Sequence, residues 1–463
     1  MASISEYRIV LSENPTYNEK RAAAFLRKSV RIVTGATLPI VSEKEIPSPL
    51  EIVIGKTSRE ESDGMHFIRS RKSLWEYVIR FSGERLYLTG LGLPAEEENP
   101  YKHPYGYVDD GAYGTSIAVY RFVEDVLKYD FLFEAYGTYT ENPDIEMPTD
   151  FKVDYYKDAL SLDHAPEICG SGFWAVPSAR IPNWNMGCLI FRSKSGRIVL
   201  IDGGFDSDAP RVIRLLQEIT GEEKPVIDAL LFTHLHMDHY GFYQSLCQKE
   251  ELREKVRVKA FYHHLLPDIF YSDFSKEKSP DWQGVLDLIH ASADVLGTEL
   301  VTVEKGDEIK IDDLSFKVLH TPSHEEKVMK TMNMNDSSVI YRMDHESGLK
   351  MLLLADGEWV VSGALSLLPA EELKADIVQV GHHGVGNVSQ EIYRRAGGSV
   401  YLYQVSPRFW YSDRGEGLGS HAIGMSRNLD WIMDLGTRRE NVLDTTRGIV
   451  AKSLPLTFFR ERK

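Results

Sequence analysis

Cysteine is scarce in this chain. Three residues, Cys169, Cys188 and Cys247, are scattered over 463 positions, so no disulfide framework and no Cys-x-x-Cys zinc site is expected. All three read as buried small hydrophobes. Long apolar runs are also missing, and none approaches the roughly 18–20 residues that span a bilayer. The start, Met1-Ala2-Ser3-Ile4-Ser5-Glu6, has no basic-plus-apolar leader pattern. Taken as the natural start, it gives a cytoplasmic expectation. An excess of positive charge is the third absence: 53 Lys and Arg face 69 Asp and Glu, a formal net charge of −16. Nucleic-acid binders draw most of their affinity from neutralised phosphates, so long DNA or RNA is not an expected partner. Arg408, Arg414 and Arg427 could still line a local anionic pocket.

What is present is an ordinary globular composition, 43% hydrophobic and 26% charged. The length exceeds what one core normally fills, so two domains are expected. The boundaries fall at residues 1–150 and 165–463, with Pro143 and Pro148 marking the exit from the first.

The most informative segment is His234-Leu235-His236-Met237-Asp238-His239, closed by Gly241. It follows the apolar run Ala229-Leu230-Leu231-Phe232, which reads as a buried strand. A strand end fixes the backbone while the loop aims side chains into a cleft. In extended chain His234 and His236 point the same way and Asp238 follows in phase. His239 points elsewhere unless the chain has begun to curl into a helix. Four ligands from so short a segment suit a pair of metal ions.

The motif resembles the His-x-His-x-Asp-His-x-Gly signature of the metallo-β-lactamase superfamily. The resemblance runs over roughly residues 165–455. It implies an α/β fold of the α+β type: a four-layered αββα sandwich, here preceded by a smaller α/β domain. Ile198-Val199-Leu200-Ile201-Asp202-Gly203-Gly204 resembles the family's first motif, which implies that Asp202 supports the metal loop from behind. Leu319-His320-Thr321-Pro322-Ser323-His324 resembles a His-Thr-Pro-Gly-His motif with serine in place of glycine, and on that match His324 is a ligand. The loop Asn333-Met334-Asn335-Asp336-Ser337-Ser338, however, is similar to one in the metallo-hydrolase domain of DNA-uptake competence proteins, which need no histidine there. Leu352-Leu353-Leu354-Ala355-Asp356 resembles the Leu-Leu-Thr-Gly-Asp motif of those relatives and implies that Asp356 bridges both metals. His382-His383-Gly384 resembles their His-His-Gly-Ser motif. One of the two histidines should complete the second metal site, and the other should touch substrate or buffer protons. Gly419-Ser420-His421 stands where relatives place a further histidine near the active site. Catalytic roles are accordingly expected of Asp238, His383 and His421.

The first part of the chain is different. Ala22, Phe25, Leu26 and Val30 recur at helical spacing before Gly35, and Ile52-Val53-Ile54-Gly55 and Leu86-Tyr87-Leu88-Thr89-Gly90 read as strands. Ile117 to Leu127 reads as a second helix. Together with Thr34-Gly35-Ala36-Thr37-Leu38-Pro39 and Ala118-Val119-Tyr120-Arg121-Phe122-Val123-Glu124, these stretches resemble the N-terminal accessory domain of α-glucuronidases and related glycan-degrading enzymes. The resemblance implies a domain without catalytic acids. Tyr101, His103, Tyr105 and Tyr107 could stack on a sugar or simply pack an ordered loop.

The expected function is therefore hydrolysis by a metal-bound hydroxide. Histidine and carboxylate ligands suit two divalent ions, zinc first, with manganese or iron as alternatives. A phosphodiester or phosphoester in a small-molecule or glycan-linked substrate is favoured. A lactone, thioester or β-lactam substrate is the alternative, followed by a glycan-binding protein with a non-catalytic metal site and a di-iron redox protein.

Overall fold

The computed structural model describes residues 2–70, 76–93, 113–137, 139–154, 164–178, 184–265, 271–272, 282–322, 332–386, 388–411 and 419–456. The chain divides into two compact units: residues 1–161 with 411–423, and residues 162–410 with 424–463.

The first unit holds a six-stranded sheet. Arg8–Leu11 lies between Ile40–Ser42 and Glu51–Ile54, all parallel, and Arg85–Gly90 continues the parallel run. Tyr77–Ser82 and Val153–Asp154 complete it antiparallel. Two helices pack on this sheet, Tyr17–Thr34 and Tyr113–Asp125. Thr16 and Glu19 form a reciprocal cap at the start of the first, and Gly35, at φ 76°, ends it. The first helix extends beyond the range that spacing alone gives, because its caps rather than apolar periodicity set its ends; the second begins four residues before Ile117 and ends at Asp125, two residues short of Leu127.

The second unit is a sandwich. One sheet runs Glu299–Thr302, Ala260–His263, Val226–Leu231, Ile198–Asp202, Cys188–Arg192, Gly172–Ala175, Val450–Ser453. The other runs Glu308–Ile311, Leu314–His320, Ile340–His345, Lys350–Leu353, Ile377–Gln379, Val400–Tyr403, Val442–Asp444. Alternation decides which side chain faces which layer. Along Ile198–Asp202, Val199 and Ile201 join Phe316, Tyr341, Met351 and Leu402 in the core between the sheets. Ile198 and Leu200 face outward onto the helices Ala209–Thr220 and Met237–Gln248, meeting Val212, Leu216, Phe242 and Leu246. Each such fully buried aliphatic or aromatic side chain contributes about 1.5–3 kcal/mol. Helices Trp359–Ser366 and Gln390–Ala396 cover the far face of the second sheet, where Tyr393 meets Tyr401 ring to ring at 6.2 Å. The order is helix, sheet, sheet, helix.

Ile198–Asp202 and Val226–Leu231 are parallel, as are Lys350–Leu353, Ile377–Gln379 and Val400–Tyr403. Their carboxyl ends therefore open as loops at shared edges, and those loops carry the histidines and aspartates. Cys188 and Cys247 are buried, but Cys169 is exposed. It lies in a turn where Ile168 is the residue that packs inward, which corrects the sequence expectation. No helix among the described residues is long and apolar enough to cross a membrane.

Candidate metal centre

The strand Val226–Leu231 ends before Thr233, and a helix begins at Met237. His236 is its extended N-cap, at φ −78° and ψ 145°. The chain curls one residue before Asp238, so Asp238 does not continue the extended phase of His234 and His236. It turns with His239 instead. Two groups of donor atoms result. Asp238, His239, Asp356 and His383 bring one ligand atom each to within 4.8 Å of one another, and His234, His236 and Asp356 form a second such group. Asp356 belongs to both. Both groups lie in the second unit.

Distances define the centre. Asp356 Oδ2 lies 3.3 Å from His239 Nε2, 3.4 Å from His383 Nε2, and 3.8 Å from both His234 Nε2 and His382 Nε2. Asp238 Oδ2 is 3.4 Å from His383 Nε2. His234 Nε2 and His236 Nδ1 are 3.0 Å apart.

Three of the rings are held from behind. Asp202 accepts from the Thr233 backbone N–H and hydroxyl at 2.9 Å each, and His239 Nδ1 lies 2.8 Å from its Oδ2. His234 Nδ1 is 3.0 Å from Thr233 Oγ1. His383 Nδ1 donates to the Gln404 carbonyl at 2.8 Å. Fixing one ring nitrogen on an oxygen leaves the other aimed at the centre. Gly187 makes room for this: a Cβ there would stand 2.3 Å from His239 Nδ1.

The backbone is strained around the same atoms. Asp202, Ala355, His382 and His383 have φ between 44° and 58°, four of the six non-glycine residues with positive φ among those described. Such conformations cost on the order of 1–3 kcal/mol each and persist where the surroundings enforce them. Here they end strands abruptly and throw side chains into one space.

Burial and charge set the protonation pattern. Burial, reinforced by His239, holds His234 well below the usual imidazole range, and burial does the same to His236 to a lesser degree. Both therefore stay neutral, with lone pairs available. Burial also acts on His239 and His383, but the carboxylates around them, Asp356 first, together outweigh it, raising His239 well above its ordinary value and His383 to about 9. Burial opposes the charge on Asp356, yet His383 and His239 hold its carboxyl well below the carboxylate range.

These residues fit divalent metal. His239 Nε2, His383 Nε2 and Asp356 Oδ1 are buried without a hydrogen-bond partner, a costly state that a cation relieves. The donors are nitrogen and oxygen only, as zinc, manganese and iron accept. A cavity of about 20 Å³ opens beside Asp356, His239 and His383, with Thr233, Gln379 and Gln404 on its wall. That is room for roughly one water.

His324 lies outside the described residues, as do Tyr101, His103, Tyr105 and Tyr107. His421 lies in the helix Gly419–Asp434, with its side chain outside them. Four functional neighbours escaped the sequence reading. Thr233 links Asp202 to two histidines. Gln379 receives the Ala355 N–H and so ties the two acidic and histidine loops together. A polar residue inside the apolar run Ile377–Val380 was the available signal. Gln404 and Glu358 carried no local signal, since their partners are distant in sequence.

Residues 188–326 match the profile described as the Metallo-beta-lactamase superfamily. Among curated proteins the chain is 27% identical over 186 residues to ComE operon protein 3 of Bacillus subtilis, covering 39% of this chain and 20% of that protein. It is 37% identical over 73 residues to the Beta-lactamase-like protein 2 homolog of Drosophila melanogaster, covering 16% of this chain and 25% of that one. The chain thus spans a quarter or less of either relative's length. Among solved structures, the metallo-beta-lactamase fold protein YhfI from Bacillus subtilis aligns over 61% of this chain and 99% of its own, with 12% identity and a TM-score of 0.36. The profile match starts on the strand Cys188–Arg192 and runs through the whole His234–His239 loop, so the part of the chain that carries these ligands is similar to the metallo-β-lactamase superfamily.

Proposed function

We propose that this metal-dependent hydrolase cleaves a phosphodiester or phosphoester in a small or glycan-linked substrate. The observation that carries the reading is the position of Asp356: one buried carboxylate shared by two ligand groups, which suits two cations held close together. His234 and His236 would hold one, Asp238, His239 and His383 the other, and Asp356 both. Two bound divalent ions supply a reactive water near neutral pH and Lewis acidity toward both oxygens of an in-line displacement.

The chain's own groups do the rest. Asp202 and Thr233 keep His239 and His234 in one tautomer and orientation. Asp238, at 23% side-chain exposure against 2% for Asp356, is the carboxylate that reaches the opening and is placed to take up a proton during turnover. Met237 and Trp359, the first residues of their helices and next in sequence to Asp238 and Glu358, are exposed. The net charge of −16 favours a compact substrate over a long polyanion. The similarity of the loop motifs to competence-type hydrolases favours phosphorus over carbonyl chemistry. The resemblance of the first unit to accessory domains of glycan-degrading enzymes supports a sugar-bearing substrate.

A panel of chromogenic phosphodiesters, phosphomonoesters, lactones and β-lactams, assayed with zinc and with manganese, tests this. Phosphodiesters should turn over fastest. Faster cleavage of a lactone or β-lactam would refute the phosphorus assignment. Efficient cutting of long DNA, weakening steeply with salt, would refute the compact substrate.

A further inference from the structure

The turn Gly381–Gly384 presents two histidines in succession, and the ligand groups use only the second. Neighbouring residues ordinarily point apart. Here φ is 44° at His382 and 54° at His383, both left-handed, so both rings fold toward the same carboxylate. His382 Nε2 stands 3.8 Å from Asp356 Oδ2, the distance at which His234 Nε2 stands from that same oxygen.

His382 is braced as a metal-bound histidine is braced. Its Nδ1 lies 2.9 Å from Glu358 Oε1. Asn335 Nδ2 donates to that same oxygen at 3.0 Å and lies 3.4 and 3.5 Å from the two ring nitrogens of His382. Asp336 accepts the backbone N–H groups of Glu358, Val360 and Val361, pinning Glu358 at the start of its helix. The Asn333–Ser338 loop thus acts as a bracket for Glu358, and Glu358 as a bracket for His382. Carboxylate-held imidazoles of this kind are the usual support of a metal ligand.

We propose that His382 is the third histidine of the first metal position, joining His234, His236 and Asp356, with Glu358 as its positioning residue. His383 serves the second position, so one strained turn feeds both. This position then needs no ligand from His324. The inference rests on the two-metal reading above and deepens it.

Zinc binding by the full chain tests it, by competition with a chromophoric chelator and by metal analysis after gel filtration. Wild type should hold two zinc ions. His382→Ala should retain about one, or bind the weaker ion at least tenfold less tightly, while His324→Ala keeps both. Glu358→Gln should weaken the same ion about 10–100-fold. If His382→Ala is misfolded by circular dichroism, Glu358→Gln decides: tenfold weakening or more supports the assignment, and unchanged affinity overturns it. Two zinc ions at unchanged affinity in folded His382→Ala overturn the assignment but leave the two-metal reading standing. A wild-type chain that binds no zinc, manganese or iron sinks both.

Discussion

Each unit buries a cluster of charge, and the two clusters are built on opposite plans. In the first unit Glu51 is completely buried. Its Oε1 accepts from Arg8 Nη2 at 2.6 Å and its Oε2 from Arg59 Nε at 3.0 Å and Arg85 Nε at 2.8 Å. The donors left over on Arg59 go to the Glu43 and Glu45 carbonyls, and Arg85 adds Asp63 at 2.6 Å. The cluster is closed: carboxylates, guanidinium groups and carbonyls satisfy one another. In the second unit Asp238 and Asp356 are ringed by imidazoles, and His239 Nε2, His383 Nε2 and Asp356 Oδ1 have no hydrogen-bond partner among the described residues. Arginine is permanently charged and cannot give way to a metal. An imidazole can, by releasing a proton where it carries one, and so only the second cluster is chemically open. Burial of charge by itself does not mark a site; incomplete satisfaction does.

The sharpest way to break this contrast is to remove the shared carboxylate. Asp356→Asn keeps the shape and loses the charge that both ligand groups use. Hydrolysis should fall at least about a thousandfold, several kcal/mol of charge stabilisation being at stake. Bound metal should fall with it, while far-ultraviolet circular dichroism stays unchanged. Near-wild-type rates at limiting metal would make Asp356 a turn residue only. Glu51→Gln is the matching change in the closed cluster. It leaves three guanidinium groups short of a buried partner, and should destabilise the first unit by about 3–5 kcal/mol. Urea unfolding read by hydrogen exchange on peptides covering residues 51–54 would show it. Metal content should not move; if it does, the two clusters are not independent.

Gly187→Ala asks whether the open cluster depends on its supports as well as its ligands. The new methyl group would meet His239 Nδ1, which must then leave Asp202. Metal affinity should drop about 10–100-fold, as for other losses behind a ligand. An unchanged affinity would mean that the Asp202 contact orients nothing.

The open cluster was far more legible in the sequence than the closed one, for a physical reason. Its donors sit at the ends of apolar strands, and a strand followed by His or Asp is a local pattern. Ile198–Asp202, Val226–Leu231, Lys350–Leu353 and Ile377–Gln379 all follow it. The start of the helix at Met237, which groups Asp238 with His239, is set by a one-residue choice that alternation cannot foresee. Glu51 heads the strand run Ile52-Val53-Ile54 and reads as an ordinary polar flank. Its arginines come from residues 8, 59 and 85, and no spacing relates them. Glu358 is invisible for the same reason, since its partners Asn335 and His382 come from separate loops.

The smallest expected effect is also the one that separates the clusters by sign of charge. Burial opposes the charge on Glu51, but hydrogen bonds from Arg8 and Arg59 outweigh it, and its pKa is lowered. A carboxylate whose folded pKa lies below its unfolded value stabilises the fold above that unfolded value, near 4.3. The contribution is lost as pH falls through the lower folded pKa, because the unfolded chain takes up the proton first. Between those two values this site adds a slope of up to about 1.4 kcal/mol per pH unit, one proton's worth. Glu51→Gln has no proton to exchange, so the first unit should lose that part of its acid dependence while becoming less stable throughout. Hydrogen exchange of residues 51–54 and 377–379, followed from pH 6 down to pH 3 at fixed urea, reads both units in one sample. An unaltered acid slope over residues 51–54 in the variant would mean that Glu51 does not carry the acid dependence of the first unit.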